Sequence, residues 1–166
     1  MALFTRSLFL VASLLLAVAG DAAEPVTIKF CEVMESPADD VISVEGPSGS
    51  KDKLLIRKAP LLDSSHLKEV YVGKAITVLN GVAKDQWTLS LTFTDSGSKR
   101  FAEATENLLG KRLAILANDK VLVAPFIRES ITGGRAEISG SFTEQELKDL
   151  ADAVTLGIQQ AKGAGG

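Results

Sequence analysis

An α+β domain, with two helices on one face of an antiparallel sheet, is what this sequence predicts, and three observations predict it. The elements run in the order strands, helix, strands, helix. Each helix carries a single apolar stripe, which one sheet face is enough to bury. Between the helices, Lys111 to Phe142 reads as a meander of short strands punctuated by Asn118-Asp119, Pro125 and Gly133-Gly134.

The amino terminus reads as a leader. Arg6 supplies positive charge, Leu8 to Val18 an apolar core of eleven residues, and Ala17-Val18-Ala19 a small-x-small cleavage site. Such a core is shorter than the roughly 20 residues that cross a bilayer. Residues 1–19 are therefore expected to be a cleaved secretory signal, with cutting after Ala22 or Ala23, or an uncleaved anchor, as alternatives. The rest divides into N-terminal strands and a loop (20–60), the main domain (61–161) and a Gly- and Ala-rich tail (162–166). Val26 to Val33 alternates as a strand does. Glu35 to Lys53, rich in Pro, Asp, Gly and Ser, predicts a loop with one weak strand at Val41 to Val44. Leu54 to Ile56 is extended until Pro60 stops it.

Asp63-Ser64-Ser65 suits the cap of a single helical turn before Val70-Tyr71-Val72, and Asn80-Gly81 is a hairpin signal. From Trp87 to Thr94, Leu89, Leu91 and Phe93 share one side and Thr88, Ser90, Thr92 and Thr94 the other, predicting one buried and one wet face. Asp95 or Ser96 is expected to cap the first helix, Phe101, Ala104 and Leu108 to form its stripe, and Gly110 to end it. Leu113 to Ala117 is a strand, Asn118-Asp119 a turn needing left-handed angles, and Val121 to Val123 the return. Pro125 has no N–H for a ladder and marks an edge or a break. Phe126, Ile127 and Ile131 then predict another strand, and Ala136 to Gly140 the last one. Thr143 and Glu146 fit a capping box for a helix buried through Leu147, Leu150, Ala151, Val154 and Ile158.

The run KRLAILANDKVLVAPFIRESITGGRAEISGSFTEQEL, preceded by LTFTDSGSKRFAEATENLLG, resembles the head subdomain of the first periplasmic domain of SecD, an accessory subunit of the bacterial protein-secretion machinery. The shared features are a strand ending in TFTDSGSKRF, the helix stop at Leu109-Gly110-Lys111, the APFI step, the ITGG loop and the ISGSFT lead into the last helix. They span Leu54 to Ala161 and are densest from Leu89 to Leu150. The resemblance implies a ferredoxin-like split βαβ arrangement, a periplasmic or secreted location and a connection with protein export. This chain departs from SecD in having no set of transmembrane helices to couple to a proton gradient. It also has Gln159 to Gly166 in place of the strand that follows the last helix.

Composition narrows the function classes. A net charge of −3 and the lack of a basic block argue against a nucleic-acid binder. Cys31 is alone, so no intramolecular disulfide forms, and it is expected to be a partly buried thiol. His66 is the one histidine. Its neighbours Asp63, Ser64 and Ser65 are too close in the chain for a catalytic relay, and one His with a distant Cys has no metal-ligand spacing, so no metal or cofactor is expected. Glu103, Glu106, Glu144, Glu146 and Asp149 read as outward charges, and Lys99-Arg100 and Lys111-Arg112 as solvated pairs flanking one helix. Gly133-Gly134 leads into a strand, so it suits a turn with positive φ better than a phosphate cradle. The function expected is a non-catalytic exported module that binds polypeptide or an envelope protein, with Pro125, Phe126, Ile127, Gly133 and Gly134 as contact residues. The alternatives are a small exported enzyme and an envelope protein that dimerises through its sheet, with Cys31 as a link.

Overall fold

The computed structural model describes residues 24–47, 50–79 and 82–163, so the leader and the Asn80-Gly81 turn lie outside it. The described strands are β1 (Ile28–Met34), β2 (Val41–Glu45), β3 (Lys53–Arg57), β4 (Leu62–Asp63), β5 (Leu67–Leu79), β6 (Val82–Phe93), β7 (Leu113–Ala117), β8 (Lys120–Val123) and β9 (Arg135–Ser139). The helices are α1 (Asp95–Asn107) and α2 (Glu144–Gly163).

The single sheet expected from the sequence is divided in two. One sheet has the order β2-β3-β1-β7-β8, with β4 also beside β1, and the other has the order β5-β6-β9. All their pairings are antiparallel. A split βαβ unit would place β6 and β7, the strands flanking α1, in one sheet. Here both edges of β6 are taken by β5 and β9, and both edges of β7 by β1 and β8, so α1 joins two sheets.

Both helices feed one core between those sheets. Leu89, Leu91 and Phe93 of β6, Ile28 and Phe30 of β1, and Leu113 and Ile115 of β7 meet Phe101 and Leu108 of α1 and Leu147, Val154 and Ile158 of α2. At its centre Phe30, Phe93 and Phe101 touch, with ring centroids 4.5 to 5.6 Å apart. A second, smaller cluster lies on the other face of the first sheet, where Cys31, Ala114, Leu116 and Val121 meet Leu54 and Ile56. The weak strand expected at Val41 is fully formed, because β2 pairs along all of β3 and the hairpin curls until β2 touches β8. Burial on both faces is why β7 is apolar at every position.

Local expectations meet mixed outcomes. Asn118 has φ +52, its N–H donates to the Thr27 carbonyl, and its side chain accepts from the Thr27 N–H. The capping box forms, with Thr143 N–H donating to Glu146 and Glu146 N–H to the Thr143 hydroxyl. The cap of α1, however, is Thr94, whose hydroxyl oxygen accepts from Gly97 N–H while its own N–H donates to the His66 carbonyl. Thr88 and Ser90 are buried, not wet. Both lie on the middle strand, Ser90 between Tyr71 of β5 and Glu137 of β9, and Thr88 between Gly73 of β5 and Ser139 of β9, so each short side chain has a strand on either side. The strand expected over Phe126 to Ile131 is reduced to two isolated bridges. Pro125 turns the chain off β8, and it then runs back along α1, held by Ser130 and Ile131 bonding to Ala102 and Thr105.

Candidate functional site

The exit of α1 is where sequence and geometry build a concave surface. Gly110 takes φ +75 and ends the helix. Three main-chain bonds then pin the Pro125 segment there: Gly110 N–H to the Ile127 carbonyl, Ile127 N–H to the Lys111 carbonyl, and Leu113 N–H to the Pro125 carbonyl, at 2.8 to 3.0 Å. Fixed in this way, Ile127 turns into the core at 5% exposure and Phe126 turns out at 65%. Leu109, 51% exposed, belongs to the same exit.

Phe126 walls a groove of about 480 Å³. Gly110, Lys111 and Arg112 continue that wall, and Glu32 to Ala38, at and beyond the end of β1, form the other. Arg112 is half-buried. Its Nε donates to the Ala124 carbonyl at 2.9 Å and its guanidinium lies 5.7 Å from the centre of the Phe126 ring. Glu32 accepts from Lys111 at 3.0 Å and from Arg57 at 3.2 Å, and Arg57 also reaches Asp40. Burial pushes the Glu32 carboxyl up, but the bonds and charges of Lys111 and Arg57 outweigh it and hold the group below the usual carboxylate range. The Glu32 charge is thus balanced, and Val33, Met34, Pro37, Ala38 and Phe126 add apolar lining, which suits a neutral or apolar chain segment better than a strongly charged ligand. On its far side Arg112, with Pro125, Val123 and β9, borders a second cleft of about 350 Å³.

The five contact residues expected from the sequence do not form one surface. Pro125 and Phe126 are at the exit of α1, while Ile127 lies in the core. Gly134, at φ +68, sits against Ser98 in the first turn of α1 and its carbonyl accepts from Phe93 N–H; Gly133 precedes it. A helix of 13 residues separates the two groups, about 20 Å at 1.5 Å per residue. Arg112, Glu32 and Met34 line the groove and were not among the expected residues. Their signal in the sequence was faint, since a basic pair after a helix is ordinary.

The other polar groups carry less. His66 Nδ1 lies 3.2 Å from both the Asp63 carboxylate and the Ser65 hydroxyl. A relay needs nucleophile and carboxylate on opposite ring nitrogens, and here both meet one. Cys31 is buried and burial pushes its thiol up, although Lys29 opposes this, so it is placed neither to react nor to link chains.

Comparison with known proteins decides the family. The family model described as SecDF, P1 head subdomain, matches residues 39–158, well over half of the chain. The chain belongs to the SecDF P1 head family. The head is 37% identical over 128 residues to the protein translocase subunit SecD of Calditerrivibrio nitroreducens, covering 73% of this chain and 24% of that protein. It is 35% identical over 138 residues to SecD of Acidaminococcus fermentans, covering 78% of this chain and 33% of the relative. The chain thus spans a quarter to a third of these relatives. Among solved structures, one described as a membrane component SecDF that enhances protein export matches with TM-score 0.59 at 27% identity, covering 81% of this chain and 64% of that one. The match begins before β2, upstream of the Leu54 at which the sequence resemblance starts. No helix among the described residues is long and apolar enough to cross a membrane.

Proposed function

We propose that this head is a non-catalytic, exported module of the periplasm or cell exterior that holds an extended polypeptide segment in connection with protein export. The observation that carries this reading is Phe126, a large aromatic side chain left 65% exposed by three main-chain bonds that fix the backbone beside it. Phe126 stands in the wall of a groove with exposed Leu109 at the same helix exit, so a passing apolar residue has apolar surface to fit against. Arg112 supplies donors from the same wall for that segment's carbonyl groups. Family membership supports the link to export, and the expected signal at residues 1–19 supports the location.

The test is a pull-down with unfolded exported proteins, together with a photo-crosslinking residue at 126 in cells. Phe126→Asp is expected to weaken capture at least about tenfold, the effect of losing one buried aromatic contact. Unchanged capture by correctly folded Phe126→Asp removes the reading. The Ile127→Asp variant is uninformative, because it places a charge in the core.

A further inference from the structure

At 13 residues β5 is the longest described strand, and it ends its sheet on one side. Hydrogen bonds fix which of its residues face outwards. Phe93 N–H donates to the Gly134 carbonyl, so Leu89, Leu91 and Phe93 bond to β9, and the alternate residues Thr88, Ser90 and Thr92 bond to β5. Those three stand opposite Gly73, Tyr71 and Glu69. The main-chain groups of Val70, Val72, Lys74 and Ile76 therefore point away from β6, to a side where no strand stands among the described residues. At one end this edge is closed, for the Lys162 ammonium reaches the Lys68 carbonyl at 3.5 Å. From Val70 to Ile76 it is open. The edge of β9, by contrast, faces β8 across the second cleft.

The open stretch is complementary to itself. With a second copy turned antiparallel about Gly73, Val70 faces Ile76, Val72 faces Lys74, Tyr71 faces Ala75 and Gly73 faces Gly73. No like charges meet, and each large side chain has a small or apolar one opposite. Neighbouring registers are worse. Centring on Lys74 puts lysine on lysine, and centring on Val72 draws Lys68, whose carbonyl the Lys162 ammonium already occupies, into the pairing opposite Ile76. Lys74 does not guard the edge, because its ammonium is drawn 4.4 Å from the centre of the Trp87 ring. Ile76, 73% exposed, and Tyr71, 42% exposed, are the large apolar residues that this sheet leaves in solvent among those described, and both lie on this stretch.

We infer that the chain forms a two-fold dimer through β5, joining two three-stranded sheets into one. No residue lining the Phe126 groove belongs to β5, so this surface and the groove stand or fall separately.

Sedimentation of the purified protein is expected to show a concentration-dependent dimer. In a Cys31→Ala background, Gly73→Cys is expected to cross-link under mild oxidation. Opposed residues at a site without hydrogen bonds have Cα atoms about 4.5 Å apart, and a side chain at 73 meets nothing nearer than Thr88 Oγ1 at 3.6 Å. Ile76→Pro removes a donor that points outwards and leaves the ladder to β6 intact. With its fold checked by circular dichroism, it is expected to weaken dimerisation at least about tenfold. Ile76→Glu is expected to do the same without changing the main chain. A wild-type protein that sediments as a monomer at its highest soluble concentration overturns the inference. So does a dimer that survives both Ile76 variants or leaves Gly73→Cys unlinked.

Discussion

The two ends of α1 are built on opposite principles. At its start, Thr94 caps the helix and His66 comes so close to Gly97 that a Cβ there would lie 2.3 Å from the His66 carbonyl oxygen. Asp63 and Ser65 hold the turn that delivers that carbonyl. At its finish, the backbone is as firmly bonded, yet Leu109 and Phe126 stand out in solvent. At the exit ordered main chain carries two exposed apolar side chains, and at the start it carries a close-packed glycine, so on the proposed reading rigidity serves presentation at one end and packing at the other. Substitutions at the two ends should therefore separate stability from binding.

The sharpest break would come at Gly97. A valine there must displace main chain, not a flexible side-chain tip, and overpacking of this kind costs about 3 kcal/mol. Gly97→Val is expected to lower the unfolding free energy from urea titration by that amount while any folded fraction still captures polypeptide through Phe126. A variant that melts like the wild type would show that the start of α1 is not the tight end.

A smaller effect follows from pH, and it has a contribution from each end. Asp63, at the start, is pushed up by burial, but bonds from Ser65 and His66 bring it below the usual range; Glu32, at the exit, is lowered by Lys111 and Arg57 against its own burial. Because the folded value is the lower one in both, the stabilisation is complete above the unfolded carboxylate value, about 4, and is lost as pH falls through the folded value. Urea midpoints measured from pH 7 down to pH 3 are expected to fall in the acid range. Glu32→Gln should remove part of that fall and leave the part due to Asp63. A slope unchanged by Glu32→Gln would mean that the exit cluster is electrostatically idle.

The sequence made the local chemistry legible and the long-range pairing illegible. Asn118 at positive φ, Gly110 as a helix stop, Pro125 as a strand break and the Thr143–Glu146 box each depend on a few neighbouring residues, and each is found as read. The division into two sheets depends on β1 finding β7 and β6 finding β9, which no short window encodes. Ile127 was read as surface because the direction of a side chain after a proline break cannot be counted from strand parity. Arg112 looked like a helix-end cation, and only the fold sets it beside Phe126. Of the expected contact residues, Pro125 and Phe126 thus stand at the exit of α1, Ile127 in the core and the glycines at the other end of α1.

The smallest expected change in stability is at Phe126 itself, and it is the one that most sharpens the contrast. A phenylalanine that is 65% exposed has little burial to lose, and its contact with the Arg112 guanidinium is worth about 0.5 to 1 kcal/mol at a site this open. Phe126→Ser should consequently change the unfolding free energy by less than about 1 kcal/mol, while reducing polypeptide capture as much as Phe126→Asp does. Calorimetry and capture assays on one preparation separate the two quantities. If Phe126→Ser destabilised the protein as strongly as Gly97→Val, the aromatic ring would have to be packing in solution in a way its exposure denies. The exit of α1 would then be a second structural joint, with no surplus side chain to offer a partner.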